Sequence, residues 1–192
     1  MKKIALLAIG LTLCGPHMSA HALSDVSPDA VSPEGGNPST PAVDISIATY
    51  GDRTIDLRQG WAGAQACAVQ DTGTTCFDSE QEMLEFVDAS QAHGWSNGSA
   101  RLTFCGSSLM LYNGISYGLP VVGLFTRFVT TNLSAVGFDN MTTSYKVGAC
   151  SSILYGGSGG GGGVYPGPTN AFTQSPNMVG GWNNTISSAY VG

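Results

Sequence analysis

Apolar positions change their period along this chain, and the changes divide it. An apolar run from Ile4 to Leu13 follows Lys2 and Lys3. Between 23 and 45 aliphatic residues thin out among Pro, Ser, Gly and acids. That composition buries too little to offset its ordering entropy and predicts a disordered linker. Ile45, Ile47 and Thr49, then Ile55 and Leu57, alternate with smaller or polar neighbours, the period of two that predicts strands. Over 76–94 the spacing becomes helical. Met83, Leu84, Phe86 and Val87 make an apolar stripe, Ser79 and Glu82 a capping box, and Gly94 a stop, which together predict a helix. From 101 onward, segments at 109–111, 121–125, 128–130, 145–147, 153–155 and 189–191 are rich in β-branched or aromatic residues and separated by Gly, Asn and Ser turns. They predict an all-β module.

The expected order is therefore a signal peptide over 1–22, a linker over 23–45, a small N-terminal α+β subdomain with one helix over 46–100, and a β domain over 101–192. The first segment joins a basic start to a short apolar run and to Ala20-His21-Ala22, the small-x-small pattern of secretory cleavage. The run is too short to cross a bilayer. Cleavage after Ala22 and a secreted, extracellular protein without membrane association are expected. A lipoprotein signal ending at Cys14 is the alternative, against which Leu13 stands where a small residue belongs. A length of 192 residues with 42% hydrophobic content allows one or two small domains with a real core.

Removing the signal leaves four cysteines, Cys67, Cys76, Cys105 and Cys150. An even count in an exported chain reads as two disulfides, with three pairings open. Zinc is not expected, since there is no C-x-x-C and His93 is the one histidine after cleavage. Charge is split along the chain. Residues 23–100 carry twelve acids against Arg53 and Arg58, a balance of −10, whereas 101–192 carry Asp139 against Arg101, Arg127 and Lys146, a balance of +2. With no basic stripe to neutralise phosphates, nucleic acid is not an expected partner.

The candidate chemistry lies in a duplication. GFDNMTTSYKVG over 137–148 and GWNNTISSAYVG over 181–192 align at an offset of 44 residues, sharing Gly137/Gly181, Asn140/Asn184, Ser144/Ser188, Val147/Val191 and Gly148/Gly192. A fixed-period repeat of this quality is structural duplication. Each copy holds the hexapeptide [Asn/Asp]-[Asn/Asp]-x-x-[Ser/Thr]-Ser, as 139–144 and 183–188. Turn residues bonding their own backbone would account for one such copy. Two copies in register, each offering carboxylate, amide and hydroxyl oxygens, point to a hard cation.

The pattern resembles the paired calcium motifs of microbial βγ-crystallins. The likeness extends to an aromatic, glycine-bearing hairpin ahead of each copy, LYNGISYG over 111–118 and LYGGSGGGGG over 154–163, and so covers about 104–192. It implies a mainly β fold in which two Greek-key motifs form one β-sandwich and each supplies half of two calcium sites. By that likeness the ligand residues are Asp139, Asn140, Met141 and Thr143 in one motif and Asn183, Asn184, Thr185 and Ser187 in the other. The hydroxyls of Thr143 and Ser187 and the carbonyls of Met141 and Thr185 would face ions completed by Asn140 or Asn184 from the opposite motif. Ser144 and Ser188 would brace the folded hairpins. Cys105 and Cys150 would flank the first Greek key, which favours Cys105 with Cys150 and Cys67 with Cys76.

Glycines 118 and one or more of 159–163 are expected at positive φ, and the five-glycine run is read as a flexible hairpin tip. It lacks the Lys-Ser/Thr partner of a phosphate loop. No G-x-S-x-G or H-E-x-x-H occurs, and the acids cluster on one helix and the linker, so no enzyme is expected. A secreted calcium-binding protein is the leading expectation. A proteinase inhibitor on the same fold, with an extracellular proteinase as partner, is the alternative, because such inhibitors share the Leu-Tyr hairpin and the stretch from Asn132 to Asp139. An antimicrobial toxin on this scaffold is a weaker third.

Overall fold

The computed structural model describes residues 43–94 and 109–192. The expected signal peptide, the linker up to residue 42 and Cys105 lie outside the described residues. Among the described residues the strands are β1 (Ile47–Tyr50), β2 (Arg53–Asp56), β3 (Ala66–Gln70), β4 (Gly73–Phe77), β5 (Leu109–Gly114), β6 (Gly118–Leu124), β7 (Thr130–Asn132), β8 (Ser144–Val147), β9 (Ser152–Tyr155), β10 (Gln174–Ser175) and β11 (Ser188–Val191), with one α-helix, α1 (Glu80–Gly94), after β4. They build an eight-stranded sheet in the order β10-β8-β5-β6-β3-β4-β1-β2 and a three-stranded sheet in the order β7-β11-β9.

That order is a pair of Greek keys exchanging a strand. In the first motif β5, β6 and β8 share the large sheet, while β7 crosses over to pair with β11, Asn132 opposite Ser188. In the second, β9 and β11 share the small sheet, Tyr155 and Val164 form an isolated bridge beside them, and β10 crosses back to pair with β8. Each motif thus completes the other's sheet. Phe128, expected inside a strand, instead sits just before β7 at φ 61° and 66% exposed.

The segment 46–94 enters the same sheet. β3 runs parallel to β6, with Ala66 opposite Val121 and Val69 opposite Leu124. β4 pairs with β3, and β1 with β4. Both faces of the central strands are covered. Cys67, Val69, Leu109, Leu111, Val122 and Leu124 face the core shared with the small sheet, while Ala66, Ala68, Met110, Tyr112 and Val121 pack with Met83 and Val87 of α1. This alternation, apolar on both sides, explains why these strands read as nearly continuous hydrophobic runs. Cys67 and Cys76 are cross-strand partners on β3 and β4 and form a disulfide. Cys150 is disulfide-bonded too.

The expected cap of α1 forms with a shift. Glu82 N–H donates to Ser79 Oγ at 3.2 Å, but the Glu82 carboxylate takes the Asp78 N–H at 3.3 Å. Only half of the predicted stripe is core. Met83 and Val87 are buried, whereas Leu84 and Phe86 are 36% and 37% exposed, Phe86 lying against Phe77. A polar pin fixes α1 to the sheet. Tyr112 donates to Glu80 Oε1 at 2.6 Å, and Lys146 Nζ approaches the same oxygen at 3.4 Å while lying over the Tyr112 and Tyr117 rings.

Burial, followed by the bond to the Glu80 carboxylate, holds the Tyr112 hydroxyl above the ordinary tyrosine value of 10.0. The folded state therefore resists ionisation that the unfolded chain allows. The contribution is intact below that value and lost as pH rises through it. The urea midpoint should be flat up to about pH 9 and fall beyond about pH 10, and Tyr112→Phe should fall less steeply over that range. Tyr145, raised by burial, and Tyr50, raised by its hydrogen bond to Asp78, contribute to the slope that remains.

Thr142 is fully buried and its Oγ1 has no hydrogen-bond partner, at a position where the second motif places the core residue Ile186. A stranded hydroxyl costs more than the bond it could have made. Thr142→Val should raise unfolding free energy by about 1 kcal/mol in urea titration with an unchanged slope.

Candidate metal centre

Each hexapeptide begins with a residue before and a residue inside it held in left-handed backbone. Gly137 and Gly181 have φ 64° and 85°, and Asn140 and Asn184 have φ 55° and 56°. Glycine and asparagine tolerate this conformation better than other residues. The turn reverses the chain so that each Asn N–H points across to the other motif. Asn140 N–H donates to the Ile186 carbonyl at 2.9 Å, and Asn184 N–H to the Thr142 carbonyl at 3.0 Å. Residues 140 and 142 stand in the first motif where 184 and 186 stand in the second, so the two bonds are images of one another.

The hairpins follow the same symmetry. Thr143 N–H donates to Tyr112 O at 2.8 Å, and Ser187 N–H to Tyr155 O at 2.9 Å. Ser144 Oγ donates to Gly114 O at 2.6 Å and accepts from Tyr117 N–H at 3.0 Å. Ser188 Oγ likewise donates to Gly157 O at 2.6 Å and accepts from Gly160 N–H at 3.0 Å. Both serines brace a folded hairpin. The reversal itself is made by Ser116 and Tyr117, φ 53° and 66°, in the first motif and by Gly159 and Gly160, φ 64° and 79°, in the second.

Gly118, expected at positive φ, is extended at φ −72°. It is needed for closeness instead, since a Cβ there would meet the Gly114 Cα at 3.0 Å. The five-glycine run is a packed turn rather than a loose tip. Gly159 N–H donates to Asn132 Oδ1 at 2.6 Å. A Cβ at Gly162 would fall 2.8 Å from Gly157 N, and one at Gly163 3.2 Å from the Trp182 ring.

Side chains gather unequally on this frame. Ser187 Oγ lies 3.4 Å from Asn140 Oδ1, across the motif boundary. Asn140 Nδ2 donates to Asp139 Oδ2 at 3.1 Å. Asn184 reaches the first motif through its main chain, while the Thr143 hydroxyl donates to Tyr112 O at 3.1 Å. Thr185 Oγ1 donates to Trp182 O at 2.8 Å. Asp139, Asn140, Asn183 and Asn184 are exposed, Met141 and Thr185 half-buried, and Thr143 and Ser187 buried. Among the described residues no group of three or more His, Cys, Asp or Glu gathers. The donors are amide, hydroxyl and main-chain oxygens with one carboxylate, a set that fits calcium and no soft metal.

Sequence reasoning missed two residues beside this site. Trp61 Nε1–H donates to Val136 O at 2.9 Å and its ring lies 5.6 Å from that of Phe138. Leu57, fully buried, places its carbonyl oxygen where a side chain at Gly137 would begin. Both contacts join positions 75 or more residues apart in the chain, and no local pattern announces them.

No family model matches the sequence, and no curated protein matches it. Among solved structures, a βγ-crystallin from Ciona intestinalis is similar over 45% of this chain and 100% of its own, at 19% identity and a TM-score of 0.39. A βγ-crystallin domain from Flavobacterium johnsoniae is similar over 44% of this chain and 93% of its own, at 20% identity and a TM-score of 0.37. One from Clostridium beijerinckii covers 44% and 97%, at 19% identity and a TM-score of 0.37. These three solved structures to which the chain is similar are βγ-crystallin domains.

Proposed function

We propose that this is a secreted, non-enzymatic calcium-binding protein in which two cation cradles tie the Greek-key motifs together. The observation that carries the reading is the 3.4 Å approach of Asn140 Oδ1 to Ser187 Oγ, from opposite motifs. Two oxygens bound side by side to one calcium, each about 2.4 Å from it, stand roughly that far apart. The reciprocal bonds of Asn140 and Asn184 support the same reading, because they hold both amides at the boundary between motifs. Asn140 and Ser187, with the Thr185 carbonyl, would hold one ion; Asn184 and Thr143, with the Met141 carbonyl, the other. Asp139 and Asn183 would flank them. The ion would supply charge to oxygens that otherwise have only neutral partners. The Cys67–Cys76 disulfide supports an oxidising compartment. The hydroxyls of Thr143 and Ser144 are engaged with main-chain carbonyls, an arrangement that orients a loop rather than activating a nucleophile, and we assign no reaction.

Asp139 is the one carboxylate in either hexapeptide. Calcium affinity rises with ligand charge, so each dissociation constant should lie at about 10⁻⁵ to 10⁻³ M. Such sites fill outside cells and stay empty inside. A site of about 10⁻⁴ M held in 5 mM calcium would stabilise the fold by roughly 2 kcal/mol. Calorimetric titration should give up to two sites in that range, and the melting midpoint should be higher in calcium than in chelator. Thr143→Ala with Ser187→Ala should abolish both effects. Nanomolar binding, or no heat and no midpoint shift at millimolar calcium, would overturn the proposal.

A further inference from the structure

The two cradles are images of one another in their main chain but not in what supports them. The turn into the first hexapeptide is covered by the N-terminal segment. Trp61 bonds the Val136 carbonyl and stacks near Phe138, which is fully buried, and Leu57 closes over Gly137 so tightly that a methyl group at Gly137 would collide with the Leu57 carbonyl. Three consecutive residues, Val136 to Phe138, are therefore fixed directly ahead of Asp139 and Asn140. The corresponding turn in the second motif is open. A Cβ at Gly180 or Gly181 would meet nothing within 4 Å, Gly181 is exposed, and the half-buried Trp182 leans on Tyr165, 5.7 Å away, from within its own motif.

We infer that Trp61 is a positioning residue for calcium, holding the turn that presents Asn140, and that it makes the Asn140–Ser187 cradle the tighter of the two, so that the cradles fill in order. This rests on the calcium reading above. The physical ground is preorganisation: a ligand already held in place loses less conformational freedom when it binds. The Asn140 amide has its cross-motif partner at hand, 3.4 Å away, and the residues leading to it are pinned by a second layer. The Asn184 side chain follows a pair of uncovered glycines, and the bond this residue makes across the boundary is that of its main chain, to Thr142 O at 3.0 Å. Trp61 acts through its contacts with Val136 and Phe138.

The test separates the cradles by mutation in the full chain. In Thr143→Ala the Asn140–Ser187 cradle remains, and in Ser187→Ala the Asn184–Thr143 cradle. Adding Trp61→Phe, which keeps a ring against Phe138 and removes the indole N–H, should weaken calcium binding about fivefold in the first background and leave the second within about twofold. Amide exchange of the calcium-free protein supplies an independent readout. Trp61→Phe should speed exchange at Asn140 and leave Asn184 unchanged, an asymmetry that a general loss of stability would not produce. Equal weakening in both backgrounds, or unchanged exchange at Asn140, would overturn the inference while leaving the calcium reading intact. Absence of calcium binding in both parent backgrounds and in the wild type would overturn the calcium reading and the filling order with it.

Discussion

Two main-chain hydrogen bonds, Asn140 to Ile186 and Asn184 to Thr142, set the terms for the whole β-sandwich. Each joins an amide at the exposed tip of one motif to the carbonyl of a fully buried residue, Ile186 or Thr142, of the other, so a buried acceptor is satisfied across the boundary. The crossing strands extend the same exchange. β7 leaves the first motif to pair with β11, and β10 leaves the second to pair with β8. A single motif would strand a strand edge and a buried face, so neither half is a folding unit by itself. The hexapeptides lie where that exchange begins, at the entrance to β8 and β11, which is why oxygens from both motifs converge there.

The N-terminal segment answers a different need. Without β3, strand β6 would be a free edge of the large sheet, with apolar residues on both of its faces. Parallel pairing of β3 covers that edge, α1 covers the outer face, and the exposed end of the sheet moves out to β2, whose ends carry Arg53 and Asp56. Charged edge strands discourage pairing with other chains. The same segment then reaches around to Gly137 through Leu57 and Trp61. Edge protection and support of the first turn thus come from one stretch of chain, tied internally by the Cys67–Cys76 bridge.

What could be read from the sequence was what repeats or alternates. The offset of 44 located both hexapeptides, and the serines at their ends do brace the hairpins, through bonds to Gly114 and Gly157. Apolar periodicity located most strands of the β domain and the helix. Long-range partnership was not legible: nothing in Ala66 to Val69 says that its neighbour is Val121 to Leu124 rather than another apolar run. Among the glycines, the expected positive φ is present at Gly159, Gly160 and Gly162 and absent at Gly118. At Gly118 and in the 159–163 run the absent side chain matters partly for close approach of distant atoms, a demand that conformational preference alone does not reveal. Another pair of residues keeps the offset of the repeat. Phe128 and Phe172 also lie 44 apart, and both are exposed, at φ 61° and 62°, directly ahead of or near the crossing strands.

Divergence between the two copies follows from the same geometry. Positions that one copy presents to the other stay alike: Asn140 and Asn184 share their left-handed turn, and Ser144 and Ser188 share their hairpin bonds. Positions that face other parts of the chain have drifted with their surroundings. Phe138 is enclosed by Trp61, whereas Trp182 takes its place over the glycine hairpin, where the missing side chains of Gly156 and Gly163 make room for an indole. Thr142 and Ile186 fill matching places in the core with different polarity. A pseudo-twofold axis constrains only what crosses it. The N-terminal segment packs on one side of that axis, and among the described residues nothing corresponds to it on the other, so the site that straddles it has matching main chain in both halves and unequal support behind them.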